Sequence, residues 1–406
     1  MKILFLTESF YPHGSGAELA TYLYAQLLNE AGINVIVVTN RFQGEPELVR
    51  NQNLVLFRLP LFGSSGSAKY GVLKRSDVLF SNLMRKLIKW CDVVYVPRFW
   101  FPAILWAKIH RKPVVMHLHD YIPICPLSVS YNAVENALCV KKHNCSVRCI
   151  YLHEYETRNL FGRLESVALN STLWPFISKV VQLSDVIICV SEAQRSIIVK
   201  QVPSLATKTK VIYNPLPEAS LTTIENGDFG YFGGPSYLKG FGVLSDALSI
   251  LDKTPLSDTI RIQATKFPLQ CRTQTRRYSS IEFIFHDKLD GATFERVYRK
   301  IGAVVVPSIW PEPLPYVVAE ALMKGRLVIA SNVGGISELV KGCSGTFLFE
   351  PKDYERLCEL LKYVSDLDKQ TIFELGAKNS ETFSKKFGNE KSLRYFMNVL
   401  EGVVCN

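Results

Sequence analysis

Short apolar runs punctuate this chain at regular intervals, and helical periodicity fills the gaps between them. Lys2–Thr7 reads as a buried strand, and a loop holding Gly14 and Gly16 follows. Leu19 to Ala31 carries apolar residues at helical spacing and ends at Gly32. Ile33–Thr39 reads as a second buried strand. Strand, glycine loop, helix, strand is how a doubly wound α/β domain opens. Further strands are expected at Val93–Val96, Val114–Leu118, Val186–Val190 and Val211–Tyr213. Apolar strands alternating with helices imply a parallel sheet covered on both faces.

The stretch Asn214-Pro215-Leu216-Pro217 breaks the pattern, since two prolines disfavour continuous secondary structure. A second α/β pattern starts at Asp228. Its strands are expected at Gly230–Phe232, Thr259–Gln263, Glu282–Phe285, Ala303–Pro307 and Leu327–Ala330, with a helix over Phe241–Leu251. The expected organisation is a first Rossmann-like domain over 1–215, a second over 216–385, and a C-terminal helix in 386–406 that could pack back on the first. The chain of 406 residues has room for two cores.

The segment Ala303–Val340 carries the densest signal. It reads strand, proline-rich loop, helix from Tyr316 to Lys324, Gly325, strand, then a loop with Gly334 and Gly335. Both loops follow the carboxyl ends of parallel strands, where α/β sheets bind ligands. Glu312 falls on the first loop and Glu320 in the helix, eight residues on. Two turns of helix would separate them by roughly 12 Å, so they are not a close carboxylate dyad. They suit different parts of one long ligand, or else are ordinary helix-surface charges. The helix N-terminus between them offers N–H groups and a positive dipole end to a phosphate.

These residues resemble a known family. Glu312-Pro-Leu-Pro-Tyr-Val-Val-Ala-Glu320 with Gly325 and Gly334-Gly335-Ile-Ser-Glu338 is similar to the E-x7-E signature of the retaining glycosyltransferases of family 4. Gly14-Ser-Gly16-Ala-Glu18 resembles the family's N-terminal glycine loop, and His119-Asp120 its acceptor-side histidine motif. Val190-Ser191 and Asn214-Pro215 resemble the segments leading to the crossover. Phe232-Gly233-Gly234 with Lys239-Gly240 resembles the donor loop. The resemblance implies the α/β GT-B fold, two facing Rossmann-like domains with an interdomain cleft.

It also implies roles. Glu320 would bind ribose hydroxyls, Glu312 the donor sugar, and Lys239 the diphosphate. Gly233 and Gly234 would form the donor loop, and backbone N–H groups near Leu314 and at Gly16 would complete the contacts. Gly14, His119 and Asp120 would lie on the acceptor side, and His119, Glu312 and Lys239 would be catalytic. No cofactor is required, because Lys239 and the helix end stand in for a divalent metal. Two departures matter: Gly234 stands where the family commonly has arginine, and Pro315, which has no N–H, where it often has glycine.

Charge and cysteines add to this. The net charge is +10, and residues 1–215 hold the whole excess, 24 Lys and Arg against 14 Asp and Glu. That asymmetry is either plain solubility or a first domain that meets an anionic lipid or acceptor. No nucleic-acid motif is present. Tyr70–Trp90 reads as a basic amphipathic segment, for a bilayer surface or for an ordinary surface helix. Trp100, Phe101 and Trp106 read as core. Cys125, Cys139, Cys145 and Cys149 could hold structural zinc, though their spacing is irregular; free buried thiols or a disulfide are the alternatives. No apolar run reaches the ~18 residues of a membrane span, and Ile3–Leu6 is too short for a signal peptide. The expectation is a cytoplasmic enzyme, peripheral on the inner face of the membrane, that moves sugar from a nucleotide donor to a lipid-linked or polysaccharide acceptor. A GT-B-type nucleotide-sugar epimerase and an inactive binding protein are the alternatives.

Overall fold

The computed structural model describes residues 1–62, 75–139, 146–155, 158–234, 236–256, 258–265, 279–287, 289 and 291–405. Two units divide it. One holds residues 1–134, 139–216 and 388–406, the other 135–138 and 217–387.

The first unit is built on β1 (Lys2–Leu6), β2 (Asn34–Asn40), β3 (Leu48–Asn51), β4 (Leu54–Leu59), β5 (Val93–Pro97), β6 (Val114–Leu118), β7 (Val186–Cys189) and β8 (Thr209–Val211). Their order in the sheet is β8-β7-β6-β5-β1-β2-β4-β3. Every pairing is parallel except the β3–β4 hairpin at the edge. Parallel strands carry helices on both faces, so β5 and β6 are buried along their whole length. Ile3, Phe5, Val35, Tyr24 and Tyr95 form one core.

The helix Asn389–Val404 belongs to this core. Phe396 stands 4.4 Å from the Tyr24 ring and 5.1 Å from Tyr95, and Leu400 is fully buried beside them. Asn389 clamps the returning chain: its Oδ1 accepts from Leu216 N at 2.7 Å and its Nδ2 donates to Leu216 O at 3.0 Å.

The second unit holds β9 (Asp228–Tyr231), β10 (Ile260–Thr265), β11 (Ile281–His286), β12 (Ile301–Val306), β13 (Leu327–Ser331) and β14 (Thr346–Phe349). The order is β11-β10-β9-β12-β13-β14, all parallel. This is the doubly wound order 3-2-1-4-5-6, whose direction reverses between β9 and β12. Arg326 is fully buried and donates to the carbonyls of Tyr298, Thr222, Thr223 and Lys324. It thereby ties the incoming linker to the sheet. Among the described residues no helix is long and apolar enough to cross a membrane.

Several expected boundaries move. The first helix runs Gly16–Glu30, three residues earlier than its apolar periodicity begins, because Ser15 and Glu18 form a capping box. The helix Asn82–Trp90 buries Met84, Leu87 and Ile88 and leaves Arg85, Lys86 and Lys89 exposed. Its apolar face is therefore in the core, so this part is an ordinary surface helix and not a bilayer-binding one. Tyr70–Lys74 of the same segment lie outside the described residues. Trp100, Phe101 and Trp106 are core.

Candidate functional site

In an open parallel sheet the crevice forms where strand order reverses. In the second unit that point lies between β9 and β12, and the two loops leaving it carry the expected donor residues. Phe232, Gly233 and Gly234 follow β9; Pro307 to Pro315 follow β12. Tyr231 closes the first loop, its hydroxyl donating to Gly234 O at 2.8 Å. The short 3-10 turn Tyr237–Lys239 then aims Lys239 at the second loop.

Lys239 Nζ lies 2.6 Å from Glu312 Oε1. The same oxygen accepts from Ser308 Oγ at 2.7 Å and Trp310 Nε1 at 2.9 Å. Three donors on one buried oxygen hold the carboxylate in place. Ser308 and Trp310 were not singled out from the sequence; their signal was a serine and a tryptophan inside the Pro-rich loop, four and two residues before Glu312. Lys239 also sits 5.4 Å from the Trp310 ring centre.

The loop after β13 braces Glu312 from behind. Gly335 N donates to Glu312 O at 2.8 Å. Gly334 adopts φ +53, and a Cβ there would fall 2.1 Å from that carbonyl oxygen. Only glycine fits.

The helix Tyr316–Met323 begins one residue after Pro315, which is its N-cap with φ −76 and ψ 121. Leu314 is half-buried just ahead of it. Glu320 is thus only four residues into the helix, ~6 Å of rise, and the rest of its separation from Glu312 is loop. The two-turn separation expected from spacing is corrected accordingly. Burial pushes the Glu320 carboxyl up to about 7; Lys324 pulls it down and Glu295 pushes it further up.

The first unit has its own reversal point, between β1 and β5. Gly14 lies against the Glu18 side chain, and Gly16 opens the helix as its first residue. Glu18 accepts from Ser15 N at 2.7 Å and pairs with Arg98 Nη1. Arg98, with φ 84, also lies 3.8 Å from Glu8. Glu8 is 1% exposed and accepts from Phe99 N at 3.2 Å. Its burial pushes the carboxyl up to about 7 against the pull of Arg98, with Glu18 pushing further. Glu8 and Arg98 went unnoticed in the sequence, where each is one charge at the end of an apolar strand.

His117 and His119 stack at 4.4 Å, as alternate residues of a strand end should. Tyr95 holds His117 Nδ1 at 2.7 Å, and burial pushes that imidazole down to about 3. Burial, with His117 and Arg98, also holds His119 well below the usual histidine range. His119 Nε2 is buried with no hydrogen-bond partner among the described residues. Asp120 Oδ1 accepts from Ile122 N at 2.9 Å.

Cys125 and Cys149 are buried and Cys139 is half-buried. Cys145 lies outside the described residues, so the four-thiolate zinc site remains an expectation. Among the described residues no three His, Cys, Asp or Glu side chains stand together as a metal set.

A family model described as Glycosyltransferase Family 4 matches residues 14–219, and one for Glycosyl transferases group 1 matches residues 226–366. An uncharacterized 42.6 kDa protein in the cps region of Klebsiella pneumoniae is 23% identical over 364 residues, 86% of this chain and 90% of that one. Among solved structures, Anabaena HepE in complex with UDP has a TM-score of 0.62 at 19% identity, covering 99% of this chain and 100% of that one. Sucrose-phosphate synthase from Thermosynechococcus elongatus has a TM-score of 0.69 at 15% identity, covering 100% of both chains. These likenesses show the GT-B fold. With the first family model spanning half of its length, the chain belongs to glycosyltransferase family 4.

Proposed function

We propose that this chain transfers a sugar from a nucleoside-diphosphate sugar to an acceptor hydroxyl, with retention of anomeric configuration. The observation that carries this is the Lys239–Glu312 pair at the reversal point of the second sheet, 2.6 Å apart and beside the start of the helix Tyr316–Met323. The HepE structures contain UDP and, in one case, UDP-glucose, which makes a uridine nucleotide the first donor to try.

In this reading the departing diphosphate gathers negative charge as the glycosidic bond breaks. Lys239 exchanges Glu312 for the phosphates, and the helix N-terminus adds its dipole. Glu312, released but still held by Ser308 and Trp310, receives hydroxyls of the donor sugar. Glu320 accepts both ribose hydroxyls, a task for an ionised carboxylate. Gly233 and Gly234 bring backbone close to the phosphates, and Leu314 N donates to a donor oxygen. His119, neutral and with Nε2 unpartnered among the described residues, hydrogen-bonds a sugar or acceptor hydroxyl, with Gly14 and Asp120 shaping that side. The cations on hand make a divalent metal unnecessary, so chelation with EDTA leaves the rate unchanged.

The acceptor is lipid-linked or a surface-polysaccharide precursor, and the enzyme works as a peripheral protein on the cytoplasmic face of the membrane. The basic first half supports this reading, as does the cps-region location of the Klebsiella relative.

Product analysis tests it. Incubation with UDP-sugars and a crude lipid-linked acceptor fraction should yield a glycoside whose anomeric proton coupling matches the donor's. An inverted glycoside would overturn retention. An isomerised donor would make the chain an epimerase, and no product with any donor would make it a binding protein.

A further inference from the structure

The helix Leu160–Gln182 of the first unit has 23 residues, close to 35 Å of length at ~1.5 Å per residue. One of its faces packs inward through Ser166, Asn170, Trp174, Ile177, Val180 and Val181. The opposite face is exposed and is also apolar. Phe161, Leu164, Ala168, Phe176 and Leu183 recur there at helical spacing, with Phe161 82% and Phe176 58% exposed. Glu165 and Lys179 are the charges on this face and cancel each other, and exposed Ser171 and Thr172 separate its two apolar ends. A soluble monomer rarely leaves several large apolar side chains of one helix face to water.

Cations stand at both ends. At the start of the helix, Arg148 is exposed on the preceding helix Val147–His153 and Tyr155 is exposed beside it, whereas Arg163 lies on the inward side, donating to Arg158 O at 2.9 Å and to the Tyr151 hydroxyl at 3.2 Å. Near its end Lys108 bridges to Asp185 at 2.8 Å, bringing up the turn where Ile109 is 74% exposed and Arg111 is also exposed. Exposed apolar side chains with Tyr155 and Arg148 at one end and Arg111 at the other match a bilayer interface, acyl chains flanked by anionic head groups.

We propose that this face seats the first unit on an anionic phospholipid bilayer, the Phe161–Phe176 stripe entering the head-group boundary and the terminal cations meeting phosphates. The assignment names the surface through which the membrane association proposed above would act, and it rests on that reading for its purpose. It replaces the Tyr70–Trp90 segment, whose helical part turns its apolar face inward. Binding requires neither donor nor acceptor, so it is measured independently of transfer.

The test is sedimentation of the full chain with vesicles of phosphatidylglycerol and phosphatidylcholine, and with phosphatidylcholine alone. The wild-type chain should bind the anionic vesicles and lose most binding at high salt. A triple variant, F161S/L164S/F176S, should bind on the order of 100-fold more weakly, from the apolar area removed. The single variant Phe161→Ser, at the most exposed position, should lose a smaller part of the binding and guards against misfolding of the triple. Both should keep the wild-type melting transition and the wild-type response to UDP, so that a failure of docking and a failure of the donor reading are separable. Wild-type chain that ignores anionic vesicles overturns the proposal, as does triple variant that binds like wild type. So does a concentration-dependent dimer abolished by the same substitutions, which would give the stripe to a second copy of the chain.

Discussion

Two glycines of the second unit share a left-handed backbone and differ in what surrounds them, which makes a matched pair of perturbations. Gly334 has φ +53 and Gly234 φ +64. Either one replaced by alanine bears ~1–2 kcal/mol of backbone strain, offset by ~0.4–1 kcal/mol from the stiffer unfolded chain. At Gly234 nothing among the described residues lies within 4 Å of the new methyl, so the net loss stays near ~1 kcal/mol. At Gly334 the methyl meets Glu312 O at 2.1 Å and Glu312 N at 2.7 Å, both backbone. The loop must withdraw, which adds ~1–3 kcal/mol of overpacking and breaks the Gly335–Glu312 hydrogen bond, ~1 kcal/mol more. The total for Gly334→Ala is ~3–5 kcal/mol, or a fall of the order of 10 °C in the melting temperature of this unit. Because Glu312 is the residue displaced, Gly334→Ala should also weaken nucleotide-sugar binding at temperatures where it remains folded. Thermal melts and titration with UDP-glucose measure both. If Gly334→Ala melts and binds like Gly234→Ala, the bracing of Glu312 by this loop is not what the geometry indicates.

Other expectations follow from the same geometry. Glu8 rises from 4.5 to about 7 on folding, so its contribution to stability is complete below pH 4.5 and is lost as pH climbs through 7. The loss is ~3 kcal/mol, it should appear in urea unfolding across that window, and Glu8→Gln should flatten it. Glu320 must be ionised to take a ribose diol, so UDP affinity should fall as pH drops below about 7, while Glu320→Gln should bind weakly and without that slope. Phe396→Ala should cost the first unit ~3–5 kcal/mol, read as a lower urea midpoint, because the ring is fully buried between Tyr24 and Tyr95. Gly234→Arg should restore a diphosphate cation at an open position, tightening UDP binding several-fold at ~1 kcal/mol of stability.

The sheets were legible because their strands are buried on both faces, and an unbroken apolar run as short as Val114–Leu118 suits a central parallel strand better than a helix. The helix Phe241–Leu251 lies where its periodicity places it. In the hairpin Leu48–Leu59 the outer strand Leu48–Asn51 was missed because it is an exposed edge with polar residues, although its partner Leu54–Leu59 carries an apolar run. Leu160–Gln182 was missed for the opposite reason: apolar residues on both faces erase the periodicity that marks a surface helix. At the loops leaving the reversal point of the second sheet, strand-end placement and Glu-Lys chemistry made Lys239, Glu312 and Glu320 candidates. The partners that hold them were not. Ser308, Trp310 and Tyr231 act through hydrogen bonds set by loop conformation, and Arg98 reaches Glu8 and Glu18 only because β5 lies beside β1.

In the proposed function the carboxyl edge of the second sheet binds a nucleoside diphosphate through Lys239 and Glu320. The most direct measurement is thermal stabilisation by UDP, GDP and ADP at pH 8, for wild type, Lys239→Ala and Glu320→Ala. At 100 times its dissociation constant the right nucleotide should add ~2.7 kcal/mol to wild type and far less to either variant. An equal shift in all three proteins would place the nucleotide elsewhere, and no shift with any nucleotide would contradict a donor site at these residues.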